Sequence, residues 1–74
     1  MEGKWAWTPE RLKELRLSLK MNRNQFAKLI GTTANLITSL EEGKHKPSME
    51  IFLNICNIMK ISPHYFFTYI VFKD

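Results

Sequence analysis

The chain has 74 residues, which allows one domain spanning 1–74 whose core buries only about 60% of the surface of its unfolded chain. A single cysteine excludes an internal disulfide and suits a reducing compartment. Eleven Lys and Arg against seven Asp and Glu give a formal net charge of +4 and a pI near 9.5, a balance that favours nucleic acid or another anionic surface as partner.

Residues 1–7 read as a short arm carrying Trp5 and Trp7. Thr8-Pro9-Glu10 then marks a helix start: Thr8 can cap, Pro9 suits the first helical position and Glu10 complements the positive end of the helix dipole. Leu12, Leu15 and Leu19 recur at helical spacing and give this helix one apolar face. Asn22 opens a second helix, with Gln25 three residues on completing a capping box, and Phe26, Ala27, Leu29 and Ile30 follow. Gly31 ends it, because glycine enters the left-handed cap region without a Cβ penalty. Thr33 caps a third helix with Ile37 and Leu40 inward, and Gly43 stops it ahead of the polar loop Lys44-His45-Lys46-Pro47. Ser48 caps a fourth helix with a stripe of Phe52, Ile55, Cys56 and Met59, and Ser62-Pro63 starts a short fifth. Cys56, inside that stripe, reads as a small core residue. The expected class is all-α with five helices, and a short C-terminal β-strand as the exception.

Two short helices joined by a glycine turn point to a helix-turn-helix over residues 22–41. For the second helix to cross the first steeply and enter a major groove, the contact needs a small residue, here Ala27. The turn needs a glycine, here Gly31. Apolar residues must point back to the core, here Phe26, Ile30, Ile37 and Leu40.

With these residues in place the sequence resembles the Cro and phage-repressor type of helix-turn-helix, also called the xenobiotic-response-element family. The resemblance runs without a gap from Arg11 to Phe67 through Leu15-Arg16, Ala27, Gly31, Ile37, Glu41-Glu42-Gly43 and Pro47-Ser48, and Ser62 to Phe67 closes the fifth helix. It implies a phage-repressor-like DNA-binding domain. Ala34, Asn35, Thr38 and Ser39 would face base edges from the third helix. The family usually has a phosphate-bonding glutamine where this chain has Arg23, a departure that keeps phosphate affinity and changes the geometry. Asn22 would offer its side chain or backbone to the same strand, and Lys44, His45 and Lys46 would lie along the flanking phosphates. Arg16 and Glu41 would form an ion pair beneath the turn, where removing one partner hurts more than the intact pair helps.

Each residue also has a plainer reading. Arg23 and the loop lysines suit solvated charges, Asn35 an exposed helix position, and Arg16 a solvent-facing cation. Asn35 nevertheless carries the amide that bonds adenine bidentately, and Thr38 and Ser39 can bond either base type. Ala34 and Leu36 lack polar atoms and can touch a thymine methyl, although Leu36 also suits packing against protein.

The tail from Tyr65 to Phe72 is too apolar for a frayed end, and Thr68 to Phe72 is all β-branched or aromatic, which suits a strand. A lone strand in a helical domain has no partner in its own chain, so the tail 68–74 is expected to join two copies through Tyr69, Ile70, Val71 and Phe72, with Ile51 and Ile58 as an exposed row on the fourth helix. The other reading folds the tail back over its own core with Trp5 and Trp7.

The function expected is a dimeric, sequence-specific regulator on a near-palindromic operator in double-stranded DNA. A module that keeps the fold for protein–protein contacts is the competing reading. No nucleophile–base pair, paired acids or phosphate loop suggests an enzyme, and no cofactor or small-molecule ligand is expected. His45, Cys56 and His64 stand at no zinc-ligand spacing, so no metal is expected. Met1 to Trp5 shows no signal-peptide core, and Tyr65 to Phe72 falls far short of the ~20 residues needed to cross a bilayer, so the expected location is cytoplasmic, away from the membrane.

Overall fold

In the computed structural model, which describes residues 2–72, the elements run β1 (Gly3–Trp7), α1 (Pro9–Ser18), α2 (Arg23–Ile30), α3 (Ala34–Glu41), α4 (Met49–Met59), a 3-10 helix (Pro63–Phe66) and β2 (Phe67–Val71). Local chemistry sets most of these boundaries. Asn22 Oδ1 accepts from the Gln25 N–H at 2.8 Å while the Asn22 N–H donates to Gln25 Oε1 at 2.9 Å, a complete capping box. Gly31 closes α2 at φ 90°, and the N–H groups of Gly31 and Thr32 both donate to Ala27 O at 2.9 Å. Thr33 caps α3 by accepting from the Leu36 N–H at 3.2 Å, and Ser48 caps α4 by accepting from the Ile51 N–H at 3.3 Å.

The core is made where these helices meet. Leu12, Phe26, Ile37, Leu40, Ile55 and Phe66 are fully buried, with Ala27, Ile30 and Trp7 completing the cluster. Phe52, Cys56 and Met59 pack against it from α4, as their stripe implied, and burial pushes the Cys56 thiol pKa up, away from reactive thiolate. Leu19 departs from its expected inward place. It is the C-cap of α1 and stands 40% exposed, because the helix has ended before its side chain reaches the core.

Four further expectations are corrected. The class is mostly helical with a small sheet, because residues 3–7 are a strand rather than an arm; Met1 of that arm lies outside the described residues. The fifth helix is a single 3-10 turn. Ser62 and Pro63 start it, but Phe67 is already extended (φ −124°), and the β-branched and aromatic run behind it continues as strand. The tail strand has a partner in its own chain: β1 pairs antiparallel with β2 in the register Gly3↔Val71, Trp5↔Tyr69 and Trp7↔Phe67. The tail is described as far as Phe72, and Lys73 and Asp74 of the expected 68–74 segment lie outside the described residues. The Thr8 hydroxyl, expected to cap α1, instead bonds the Thr68 hydroxyl at 2.7 Å and helps close this ribbon.

The ribbon is rooted in the core at one end. Trp7 stacks on Phe66, meets Phe52 and Phe67 edge-on, and its indole N–H donates to Leu40 O at 3.1 Å, tying β1 to the last turn of α3. At the other end the Tyr69 ring lies across Gly3, where an added Cβ would sit 2.6 Å from Tyr69 Cε2 and 2.5 Å from Ile70 O. Overpacking of this kind typically costs about 1–3 kcal/mol. Gly3→Ala is therefore expected to lower the thermal midpoint and displace Tyr69 from the ribbon, read by melting and by Tyr69 ring resonances; an unchanged melt would show that the ribbon is not packed as described.

Candidate nucleic-acid interface

At 100° per residue, the buried Ile37, Leu40 and Glu41 fix which side of α3 faces inward. The opposite side carries the exposed Asn35, flanked by the half-buried Thr38 and Ser39, while the half-buried Ala34 lies about 100° round the helix from Asn35, on the Glu41 side. Leu36 lies on neither centre line and packs against the core, so its side chain serves the protein interior. The Thr38 hydroxyl donates to Ala34 O at 3.0 Å, which commits its proton to the helix and leaves acceptor capacity outward. The exposed Asn35 side chain makes no such bond among the described residues. Glu42 falls seven residues after Asn35 on the same outward row and was missed from the sequence, although the i, i+7 spacing could have shown it.

The cations surround this face by a separate route. Lys44, His45 and Lys46 are exposed in the loop after α3, and that loop is held to the helix by Ser39 O, which accepts from the Lys44 N–H at 2.9 Å and the His45 N–H at 3.4 Å. Lys44 Nζ lies 3.1 Å from Glu42 Oε1, an exposed pair of little energetic weight that nevertheless draws Lys44 toward the end of α3. Asn22 is less free than the sequence suggests: its backbone N–H and its side-chain oxygen are both taken by the capping box, and its Nδ2 protons are the donors left.

Beneath the turn Arg16 and Glu41 meet in a fork. Arg16 Nε donates to Glu41 Oε2 at 2.7 Å and Nη2 to Oε1 at 3.0 Å, with 8% and 1% of the two side chains exposed. Arg16 Nη1 also donates to Met21 O at 2.9 Å, so one guanidinium holds α1, the α1–α2 loop and the end of α3 together. The hydrogen bonds to Glu41 raise the Arg16 pKa above its already high ordinary value, so the guanidinium stays charged. Arg23 completes the group, its Nε 3.3 Å from Glu41 Oε1 while the side chain remains 37% exposed at the start of α2. No local spacing points to this second contact, which joins residues eighteen positions apart.

The helix-turn-helix domain pattern matches residues 10–70. The chain belongs to the helix-turn-helix domain family. Its fold matches a crystal structure of the P22 c2 repressor protein in complex with synthetic operator 9T in the presence of Tl+, at a TM-score of 0.74 and 25% identity over 81% of this chain and 91% of that one. The domain is thus of the Cro and phage-repressor type. No curated protein sequence matches the chain significantly. No helix among the described residues is long and apolar enough to cross a membrane.

In this helix-turn-helix domain the Arg16–Glu41 fork is enclosed, so deleting one partner strands a charge. Loss of one member of a buried pair costs about 3–5 kcal/mol, whereas replacing both by apolar residues is often neutral. Glu41→Ala should therefore destabilise by about 3 kcal/mol or more in urea unfolding. The double change Arg16→Met, Glu41→Leu should recover much of the loss, and a Glu41→Ala variant that unfolds like the parent would place the carboxylate in solvent.

Proposed function

We propose that this domain is a sequence-specific regulator of transcription that binds double-stranded DNA as a dimer on a near-palindromic site. The observation that carries the reading is the outward row of α3, where the exposed Asn35 side chain makes no hydrogen bond among the described residues and Thr38 and Ser39 stand beside it. Base recognition needs such a row, because the major groove is read by side-chain amides and hydroxyls on a helix that can enter it. In this reading Ala34 lies against a base methyl, Asn35 bonds a base edge, Thr38 accepts and Ser39 accepts or donates at neighbouring base pairs.

The flanking cations give the affinity. Arg23 at the start of α2, the Nδ2 protons of Asn22, and Lys44, His45 and Lys46 in the loop are the proposed phosphate contacts. The likeness to a repressor crystallised with operator DNA supports the same partner here. Specificity from one such helix is limited, and two copies on a two-fold axis would present their α3 helices about 34 Å apart, one turn of duplex.

Selection of bound duplexes from random DNA tests the reading and supplies the site. On the selected duplex, Asn35→Ala is expected to weaken binding by about 1–3 kcal/mol and to relax the preference at one base pair. Lys46→Ala should weaken all duplexes alike and flatten the salt dependence by about one unit. A selection that enriches no sequence, or an Asn35→Ala variant with the parent's site preference, would turn the reading toward a protein–protein module.

A further inference from the structure

One charged group on the outward side of α3 is explained neither by the fold nor by attraction to phosphates. Glu42 follows α3 directly, and its N–H donates to Thr38 O at 3.0 Å, so it continues the helical path by one residue. At 100° per residue it falls about 20° from Asn35, between the directions of Thr38 and Ser39. Its side chain is exposed, and its carboxylate lies 3.1 Å from Lys44 Nζ. An exposed pair of this kind adds little stability. The position is also unfavourable for an anion, because the C-terminal end of a helix is the negative end of its dipole and α3 has no basic residue in its last turn. A carboxylate among the loop cations opposes the attraction of DNA phosphates as well.

We infer that Glu42 is a specificity-determining residue of the DNA interface, accepting a hydrogen bond from the amino group of a cytosine in the major groove. This rests on the DNA-reading role proposed for α3 and deepens it by adding a base position. The chemistry of the groove selects the base. An ionised carboxylate only accepts. Guanine and thymine present acceptors there, and adenine presents an amino donor with the N7 acceptor beside it. Cytosine presents its N4 amino group with no acceptor on the same groove edge, so it is the base a carboxylate meets without opposition. The span fits too. Seven residues of helix rise about 10.5 Å, within a groove about 12 Å wide, so Asn35 and Glu42 can occupy one groove together.

Lys44 makes this carboxylate tolerable beside phosphates. The N–H groups of Lys44 and His45 donate to Ser39 O, which ties the loop to the end of α3 and brings Lys44 Nζ to Glu42. The ammonium carries three protons: one serves Glu42, and two stay available for the phosphate contact proposed above. At a site without cytosine the carboxylate faces acceptors and phosphates with no base donor, and it weakens binding. At cytosine it gains one. The same residue therefore penalises wrong sites and rewards the right one. The apolar groups of α4 supply no such chemistry. Met49, Leu53 and Ile58 are exposed there, while Ile51, expected beside Ile58 in an exposed row, packs against its own core.

Selection from random DNA with the intact chain and with its Glu42→Ala variant, followed by titration of the selected duplex and a scrambled one, tests this. The parent is expected to fix a cytosine at a position other than the one that Asn35→Ala relaxes. Glu42→Ala should lose that cytosine alone and bind the parent's duplex about tenfold or more weakly. On the scrambled duplex the same variant should bind about threefold more tightly, because a negative charge has gone. Opposite signs on the two duplexes separate a base contact from a general charge effect and from damage to the fold, and the melt should stay at or slightly above the parent's. Glu42→Gln should move the preference from cytosine toward adenine, the base that an amide bonds bidentately. Equal tightening on both duplexes with site preference unchanged would make Glu42 a repulsive charge beside the backbone and overturn the inference, as would unchanged binding to both. A selection that keeps the Asn35 position but fixes no cytosine overturns this inference alone. One that enriches no sequence overturns it together with the DNA-reading role.

Discussion

The carboxylate of Glu41 is the point on which this small domain turns. It is the last residue of α3, it is enclosed, and it accepts from Arg16 and Arg23 at once. Enclosing a carboxylate costs several kcal/mol unless charge and hydrogen bonds return it, and the Arg16 fork supplies both. The return depends on geometry, so α1, the α1–α2 loop and α3 are fixed relative to one another where the apolar contacts alone would tolerate sliding. A core of nine buried apolar side chains among the described residues of so short a chain has little surplus to impose that uniqueness.

A second tether acts at the same end of α3. The Trp7 indole reaches Leu40 O from the ribbon, so the helix that carries Asn35 is held from below by Arg16 and from the side by β1. The outward row of α3 and the ribbon are consequently joined through Trp7, whose strand pairs with β2. Arg23 has a related dual position. Its Nε is turned toward Glu41 while more than a third of its side chain stays exposed at the start of α2.

Caps and periodicity made much of this legible in the sequence. Asn22 with Gln25, Gly31, Thr33 and Ser48 are local signals whose partners lie within four residues, and helix starts follow from them without tertiary knowledge. The inward Ile37 and Leu40 followed from spacing, whereas the outward role of Asn35 came from the resemblance to phage repressors. The resemblance to phage repressors singled out Arg16 and Glu41. What escaped were contacts between distant segments. The partner of β2 lies sixty-odd residues upstream, in a stretch whose glycine and lysine dilute the strand signal. Thr8 looked like a cap because capping is the local use of its hydroxyl, and Thr68 is the non-local one. Trp7 to Leu40 and Arg23 to Glu41 are likewise invisible to periodicity.

The most direct measurement is chemical-shift mapping of the labelled chain titrated with a duplex recovered by selection. The Asn35 side-chain amide should move most, together with the backbone amides of Thr38 and Ser39 and those of Lys44 to Lys46, while Ile30, Ile55 and the ribbon amides stay in place. Shifts confined to the ribbon or to α4, with the α3 row unmoved at saturating duplex, would contradict the claim that Glu41 and Arg16 hold this helix for reading DNA.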